Sequence, residues 1–214
     1  MEILLLLAIL VVNVLISIWN CYAVGSVWKD TMAFGGGFEK TLLWSGVIQS
    51  GVGFSMPILI GLAYLVVTFA TTGAEPALTP AEGQQLMEWI FSLWYVAIIF
   101  PVLGSGFVIW FHSIKVAYQR RDFASIATAG WNSFAQIHNT VSAVRNLGGA
   151  LGNVGELFKA AGSSKGDGKG KAAILAIILV IIALMSGFMI AFALIRHFAS
   201  RSDSRIEQYG REAF

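Results

Sequence analysis

The segment AAILAIILVIIALMSGFMIAFALI, from Ala172 to Ile195, contains no charged residue. A helix that crosses a bilayer needs about 20 mostly apolar residues, and this segment is long enough. Three other stretches also lack Asp, Glu, Lys and Arg, namely residues 3–28, 41–74 and 89–114. The sequence therefore predicts four transmembrane helices.

The composition of the whole chain agrees with a membrane protein. Apolar residues make up 57% of the 214 residues and charged residues 12%, and the mean hydropathy is +0.73. A soluble domain carries about 25% charged residues. The net charge of +2 argues against a basic nucleic-acid binder, and the single cysteine, Cys21, excludes a disulfide scaffold or an all-cysteine metal site. We predict an all-α integral membrane protein that contacts membrane lipids and no nucleic acid.

Glycines, prolines and charges divide the chain into segments. Thr79-Pro80-Ala81-Glu82 has the pattern of a helix start, with a threonine cap, proline at the first helical position and Glu82 completing a capping box. The predicted segments are transmembrane helix 1 with its flank (1–34), helix 2 (38–74), an acidic external loop (75–85), helix 3 (86–114), an amphipathic helical arm (115–161), a Gly/Ser/Lys linker (162–171), helix 4 (172–198) and a polar tail (199–214).

The distribution of basic residues predicts an orientation. Residues 115–171 hold eight of the fourteen basic residues and three acidic ones, whereas residues 72–85 hold Glu75 and Glu82 and no base. The positive-inside rule places residues 115–171 in the cytoplasm, and four spans then place both termini outside. The arginines of the tail argue against this orientation. Glu2, with no Lys or Arg before Lys29, is unlike the basic start of a signal peptide, so we expect the first span to be retained.

The arm after helix 3 has an apolar stripe at helical spacing. Asn132, Gln136 and Asn139 lie off the stripe. We expect the arm to continue helix 3 out of the membrane or to bend onto the membrane surface. Such a stripe is covered by the bilayer interface, a sibling subunit or a partner protein. Because the arm has few basic residues, we favour protein contact and predict an assembly face at Phe123, Ile126, Phe134, Ile137, Val141 and Val144.

Several polar residues and two prolines lie within the predicted spans. Asn13, Ser45, Gln49 and Ser50 are candidates for hydrogen bonds between helices, or alternatively for the lining of a pore. Pro57 and Pro101 remove backbone donors from helices 2 and 3, so they shape helix packing or act as hinges.

The sequence contains no recognisable catalytic motif. It has no Walker loop, GxSxG or HExxH, and the predicted spans contain no charged residue. His112, His138 and His197 cannot share a metal or haem within one subunit of the predicted topology. We therefore predict no catalytic residue, metal or cofactor, and a protein that is not an enzyme.

Two functions fit these features. The first is a non-enzymatic subunit of a multi-protein or homo-oligomeric assembly in a cellular or virion membrane, of the secretion or conjugation, respiratory accessory or viral type. The second is a homo-oligomeric channel or small transporter lined by the polar part of helix 2 and by the proline-containing helix 3.

Overall fold

The computed structural model describes residues 2–72, 76–162 and 168–202, which form five helices and the turns between them. The helices are α1 (Glu2–Phe34), α2 (Gly37–Thr71), α3 (Pro80–Arg120), α4 (Phe123–Gly162) and α5 (Gly168–Arg201). Four of them, α1, α2, α3 and α5, are long and apolar enough to cross a membrane. The prediction of an all-helical chain with four such helices is confirmed.

Helix boundaries differ from the predicted segments at several places, and α3 ends only at Arg120, six residues into the predicted arm. Helix α3 begins at Pro80, so residues 80–85 are helical and the predicted loop is shorter. The cause is the predicted capping box, which is present: the Thr79 side chain accepts from the Glu82 N–H, and the Thr79 N–H donates to Glu82 Oε2 (2.8 Å). Helix α5 begins at Gly168, within the predicted linker. Residues 73–75, 163–167 and 203–214 of the predicted segments lie outside the described residues.

The backbones of α2 and α5 approach each other closely at two glycines. A Cβ at Gly187 would lie 2.5 Å from the Gly51 carbonyl oxygen and 2.6 Å from the Ser55 nitrogen. A Cβ at Gly51 would lie 2.6 Å from the Phe188 ring. Small residues permit this kind of helix contact. The contact lies between two buried apolar clusters, one around Leu59, Leu86 and Val180 and the other around Val47, Phe54 and Ala191.

The chain reverses direction between α3 and α4. Arg121 has a left-handed backbone (φ 56°). The backbone N–H of Ser125 donates to Asp122 Oδ1 (2.8 Å), which satisfies a free donor in the first turn of α4. This hydrogen bond holds the pKa of Asp122 below its ordinary value. Helix α4 therefore starts beside the end of α3 and runs back along it.

The pairing of α3 with α4 differs from the first arrangement that we expected for the arm, a continuation of α3, whereas a position on the membrane surface stays a prediction. The arm neither continues α3 outward nor leaves it, since residues 92–110 of α3, about 27 Å of helix at a rise of about 1.5 Å per residue, are paired with α4. Residues 115–122 and 156–162 consequently lie at opposite ends of α3. Four hydrogen bonds join the two helices: Trp110 to Ser133 (2.8 Å), Gln136 to Leu103 (3.3 Å), Tyr95 to Ser142 (3.1 Å) and Asn153 to Ser92 (3.0 Å).

The apolar stripe of α4 points away from α3. All six residues of the predicted assembly face are exposed, from 42% for Val141 to 87% for Phe123. Their role in assembly stays a prediction.

We expect Gly187→Ala to lower the free energy of unfolding by about 1–3 kcal/mol, because the added methyl group overlaps the backbone of α2. Gly61→Ala is the matched control, since a Cβ at Gly61 has nothing within 4 Å. Alanine also favours the helix there, so the control should be neutral or slightly stabilising. Unfolding of both variants in detergent, monitored by the loss of helical circular dichroism, gives their free energies of unfolding. Equal effects would contradict the close contact.

Candidate functional site: a polar cleft between α1 and α4

Helices α1 and α4 flank a cleft of about 700 Å³ and do not contact each other. Gln49 of α2 and Gly106 of α3 form its floor. Trp19 and Trp131 stand on its rim and are 68% and 60% exposed, so the cleft opens to the side of the bundle. Its polar lining consists of Asn20, Gln49, Thr128, Asn132, Gln136 and Asn139.

Two glutamines fix the floor of the cleft to α3. Gln49 Nε2 donates to the Val102 carbonyl oxygen (3.0 Å) and to Ser105 Oγ (2.8 Å). Gln136 Nε2 donates to a carbonyl oxygen one residue further along α3, that of Leu103. A Cβ at Gly106 would overlap the Gln136 amide, so the absence of a side chain there makes room for it. These bonds join α2 and α4 to the same turn of α3.

Three asparagines in the cleft have no such partner. Asn20, Asn132 and Asn139 are half-buried, and within residues 2–72, 76–162 and 168–202 their side chains make no hydrogen bond. A buried amide without a hydrogen bond is costly. These side chains are therefore available to a bound molecule or to water.

The lining also carries no full charge. No Asp, Glu, Lys or Arg of the described ranges lines the cleft. No three His, Cys, Asp or Glu side chains in that part of the chain converge where a metal ion would bind.

Two smaller clefts lie next to this cleft, toward the end of the bundle that holds Lys29 and Arg120, here called the basic end. One, of about 370 Å³, lies between α3 and α4 and shares Asn132 with the main cleft. The other, of about 440 Å³, lies between α1 and α2 and shares Asn20. Both reach His112, whose Nδ1 atom is buried and has no hydrogen-bond partner among the residues that the structure describes.

The predicted polar candidates have different positions. Gln49 lines the cleft, whereas Ser45 and Ser50 are buried in helix contacts. The Ser45 hydroxyl donates to the Thr41 carbonyl oxygen and the Ser50 hydroxyl to that of Gly46, each at 2.8 Å and within α2. The structure thus brings only one of these three residues of α2 to the cleft.

Asn13 compensates for a proline in the neighbouring helix. Pro57 has no N–H, so in α2 the carbonyl oxygen of Gly53, four residues earlier, lacks its usual helical donor. Asn13 Nδ2 of α1 donates to that oxygen at 2.9 Å. Both α2 and α3 continue through their prolines, and a hinge role for Pro57 or Pro101 stays a prediction.

The predicted candidates did not include five of the six polar residues of the cleft, namely Asn132, Gln136, Asn139, Asn20 and Thr128. Asn132, Gln136 and Asn139 follow one another at spacings of four and three, which places them on one face of α4, opposite the apolar stripe. Asn20 lies in α1, one residue after Trp19. The helical spacing was a usable signal for the first three, but only the tertiary contacts bring them to Gln49.

Asn13→Leu is expected to lower the free energy of unfolding by about 1–3 kcal/mol, because the Gly53 carbonyl oxygen loses its side-chain donor. In a Pro57→Ala background, the N–H of residue 57 can donate to the same oxygen, so the cost of Asn13→Leu should fall below about 1 kcal/mol. Unfolding of the four proteins in detergent gives this double-mutant cycle. The same cost in both backgrounds would show that Asn13 acts independently of the proline.

Comparison with known proteins gives no relative. The chain matches no protein-family profile, no curated protein and no solved structure. The functional inferences therefore depend on the geometry of the helices and of the cleft.

Proposed function

We propose that the chain is a multi-pass membrane protein and that all five helices, including α4, cross the bilayer. Helix α4 pairs with residues 92–110 of α3, which lie within the segment that is predicted to span the membrane. The side chains of Ser133, Gln136 and Asn153 make hydrogen bonds with α3, and the apolar stripe of α4 faces outward, the arrangement that suits a lipid environment. Residues 123–144 also contain no Asp, Glu, Lys or Arg.

Five crossings keep the predicted orientation of the first three helices and reverse that of the last helix, α5. Among the residues that the structure describes, seven basic residues lie toward the basic end (Lys29, Lys40, Lys115, Arg120, Arg121, Arg196 and Arg201), with Asp30, Glu39 and Asp122. In the same described ranges, the opposite end has Lys159, Lys169 and Lys171, with Glu2, Glu82, Glu88 and Glu156. The positive-inside rule then makes the basic end cytoplasmic, with the start of α1 outside and the end of α5 inside. Arg145 is exposed between the two ends, where its long side chain can extend toward the surface.

Cysteine labelling in oriented membrane vesicles tests the five-helix topology. Single cysteines on a Cys21→Ala background are placed at exposed positions by Ala33→Cys and Tyr118→Cys at the basic end, and by Ala77→Cys and Gly162→Cys at the opposite end. We expect an impermeant thiol reagent to label the first pair from one side and the second pair from the other. Labelling of Tyr118→Cys and Gly162→Cys from the same side would contradict a membrane-crossing α4.

Within the membrane, the proposed function is that of a non-enzymatic subunit of a larger assembly. The observation that carries it is the cleft between α1 and α4, which a single chain leaves open to the side. Unpaired amides that face hydrocarbon are unfavourable, because lipid tails offer them no hydrogen bond. A neighbouring chain that covers the rim at Trp19 and Trp131 separates these amides from lipid.

Native mass after extraction in a mild detergent tests this function. We expect a complex of more than one chain, and we expect the double variant Trp19→Ala/Trp131→Ala to dissociate it. The matched control is Ile137→Ala/Val144→Ala, which removes two exposed side chains from the outer face of α4.

The two double variants distinguish the possible interfaces. If only the control variant dissociates the complex, the interface lies at the predicted assembly face, and a neighbouring chain does not cover the cleft. A single-chain mass for the unmodified protein would contradict an assembly altogether.

A second candidate function, a channel or small transporter, is favoured by the two smaller clefts, which share lining residues with the main cleft and lie toward the basic end. We propose that such a path runs between α1 and α4 and includes Gln49, which the sequence predicted, but neither Ser45 nor Ser50.

A further inference from the structure

The chemistry of the cleft fits a particular class of ligand. Each asparagine offers both an N–H donor and a carbonyl acceptor. The two floor glutamines use their N–H groups on α3, and their carbonyl oxygens remain as acceptors. A solute that both donates and accepts hydrogen bonds matches this lining, as a hydroxyl or an amide group does.

An inorganic ion matches the lining less well. An ion loses hydration when it leaves water, and membrane proteins compensate for this with charged side chains or with several ligands of one polarity. The cleft has no charged side chain and presents donors and acceptors together. The lining therefore favours an uncharged solute.

The size and the rim of the cleft agree with a small organic molecule. Its volume of about 700 Å³ falls within the range of about 300–1,000 Å³ that is common for ligand sites. The exposed indoles of Trp19 and Trp131 add apolar faces beside the amides, and aromatic rings of this kind pack against the C–H groups of hydroxylated solutes.

We expect solute to enter from the basic end. The two side clefts that share residues with the main cleft both lead to the basic end. Toward the opposite end, a buried apolar cluster that includes Leu59, Leu86 and Leu157 fills the space between α2, α3, α4 and α5. The unpartnered Nδ1 atom of His112 lies where both side clefts meet, a position at which a water molecule or solute group would satisfy it.

We propose that the cleft between α1 and α4 is a water-filled site, open to the basic end, for a small uncharged solute that carries hydroxyl or amide groups. This inference rests on the membrane placement proposed above, and it specifies the substrate class of the second candidate function.

Cysteine accessibility tests whether the cleft contains water. On the Cys21→Ala background, Asn132→Cys and Asn139→Cys place thiols in the cleft, and Ile137→Cys and Val144→Cys place them on the outer face of the same helix. Because thiol reagents attack the thiolate, which forms in water, we expect the cleft cysteines to react at least about tenfold faster than the controls, and only from the basic end. Cleft cysteines as slow as the controls, while Tyr118→Cys reacts normally, would overturn the proposal.

To test the solute class, we measure how fast Asn139→Cys reacts with a neutral thiol reagent while different solutes are present, since a bound solute should slow the reaction. Glycerol and urea are the probes, and sodium chloride of equal osmolarity is the control. Saturable slowing by either neutral probe, with none by the salt, supports the proposal. Slowing by the salt alone, or by none of the three, would overturn it.

These outcomes are separable from those of the function proposed above. If the protein is monomeric and the cleft cysteines react and are protected, the proposed assembly is contradicted and the proposed site is supported. If the complex is stable and the cleft cysteines do not react, the site is contradicted and the assembly is supported. Labelling of Tyr118→Cys and Gly162→Cys from the same side of the membrane would contradict the membrane-crossing position of α4 on which the proposed site depends.

Discussion

The backbone contact between α2 and α5 at Gly51 and Gly187 is the constraint on which the other helix positions depend. It brings the last helix of the chain against the second. Helix α5 also packs on α1, since a Cβ at Gly25 would lie 2.6 Å from the Phe198 Cβ. With α1, α2 and α5 in mutual contact, α4 packs on α3 and, around Leu157, also on α5. The separation of α1 from α4, and hence the cleft, follows from this packing.

The amide side chains of the bundle divide into two groups by their hydrogen bonds. Asn13, Gln49 and Gln136 donate to backbone carbonyl oxygens of neighbouring helices, so they act in packing. Asn20 and Asn139 have no partner among the described residues, and they face the cleft. Where water is scarce, an unpaired amide is unfavourable unless a ligand or water pairs with it. This difference separates structural amides from candidate binding groups better than residue type does.

Local patterns predicted much of the fold, but not the position of α4. The four charge-free stretches and the capping box at Thr79 depend on neighbouring residues, so the sequence alone was sufficient for them. Helix α4 contains Arg145, Glu156 and Lys159, which made residues 115–161 resemble an extramembrane segment. Its partners lie far away in the chain, as in the Trp110–Ser133 and Asn153–Ser92 bonds. No periodicity within α4 encodes those contacts, so the cleft that they create could not be predicted either.

The placement of α4 also changes which surface requires a partner. In water, the exposed apolar stripe that includes Phe134 and Val144 would be unfavourable, and a binding partner would be expected there. In a bilayer, lipid tails cover that stripe without cost, and the unfavourable surface is instead the polar cleft. The surface that needs a partner is therefore the apolar stripe of α4 in water and the polar cleft in a bilayer. If α4 crosses the membrane, the search for a neighbouring chain belongs at Trp19 and Trp131 rather than on the outer face of α4.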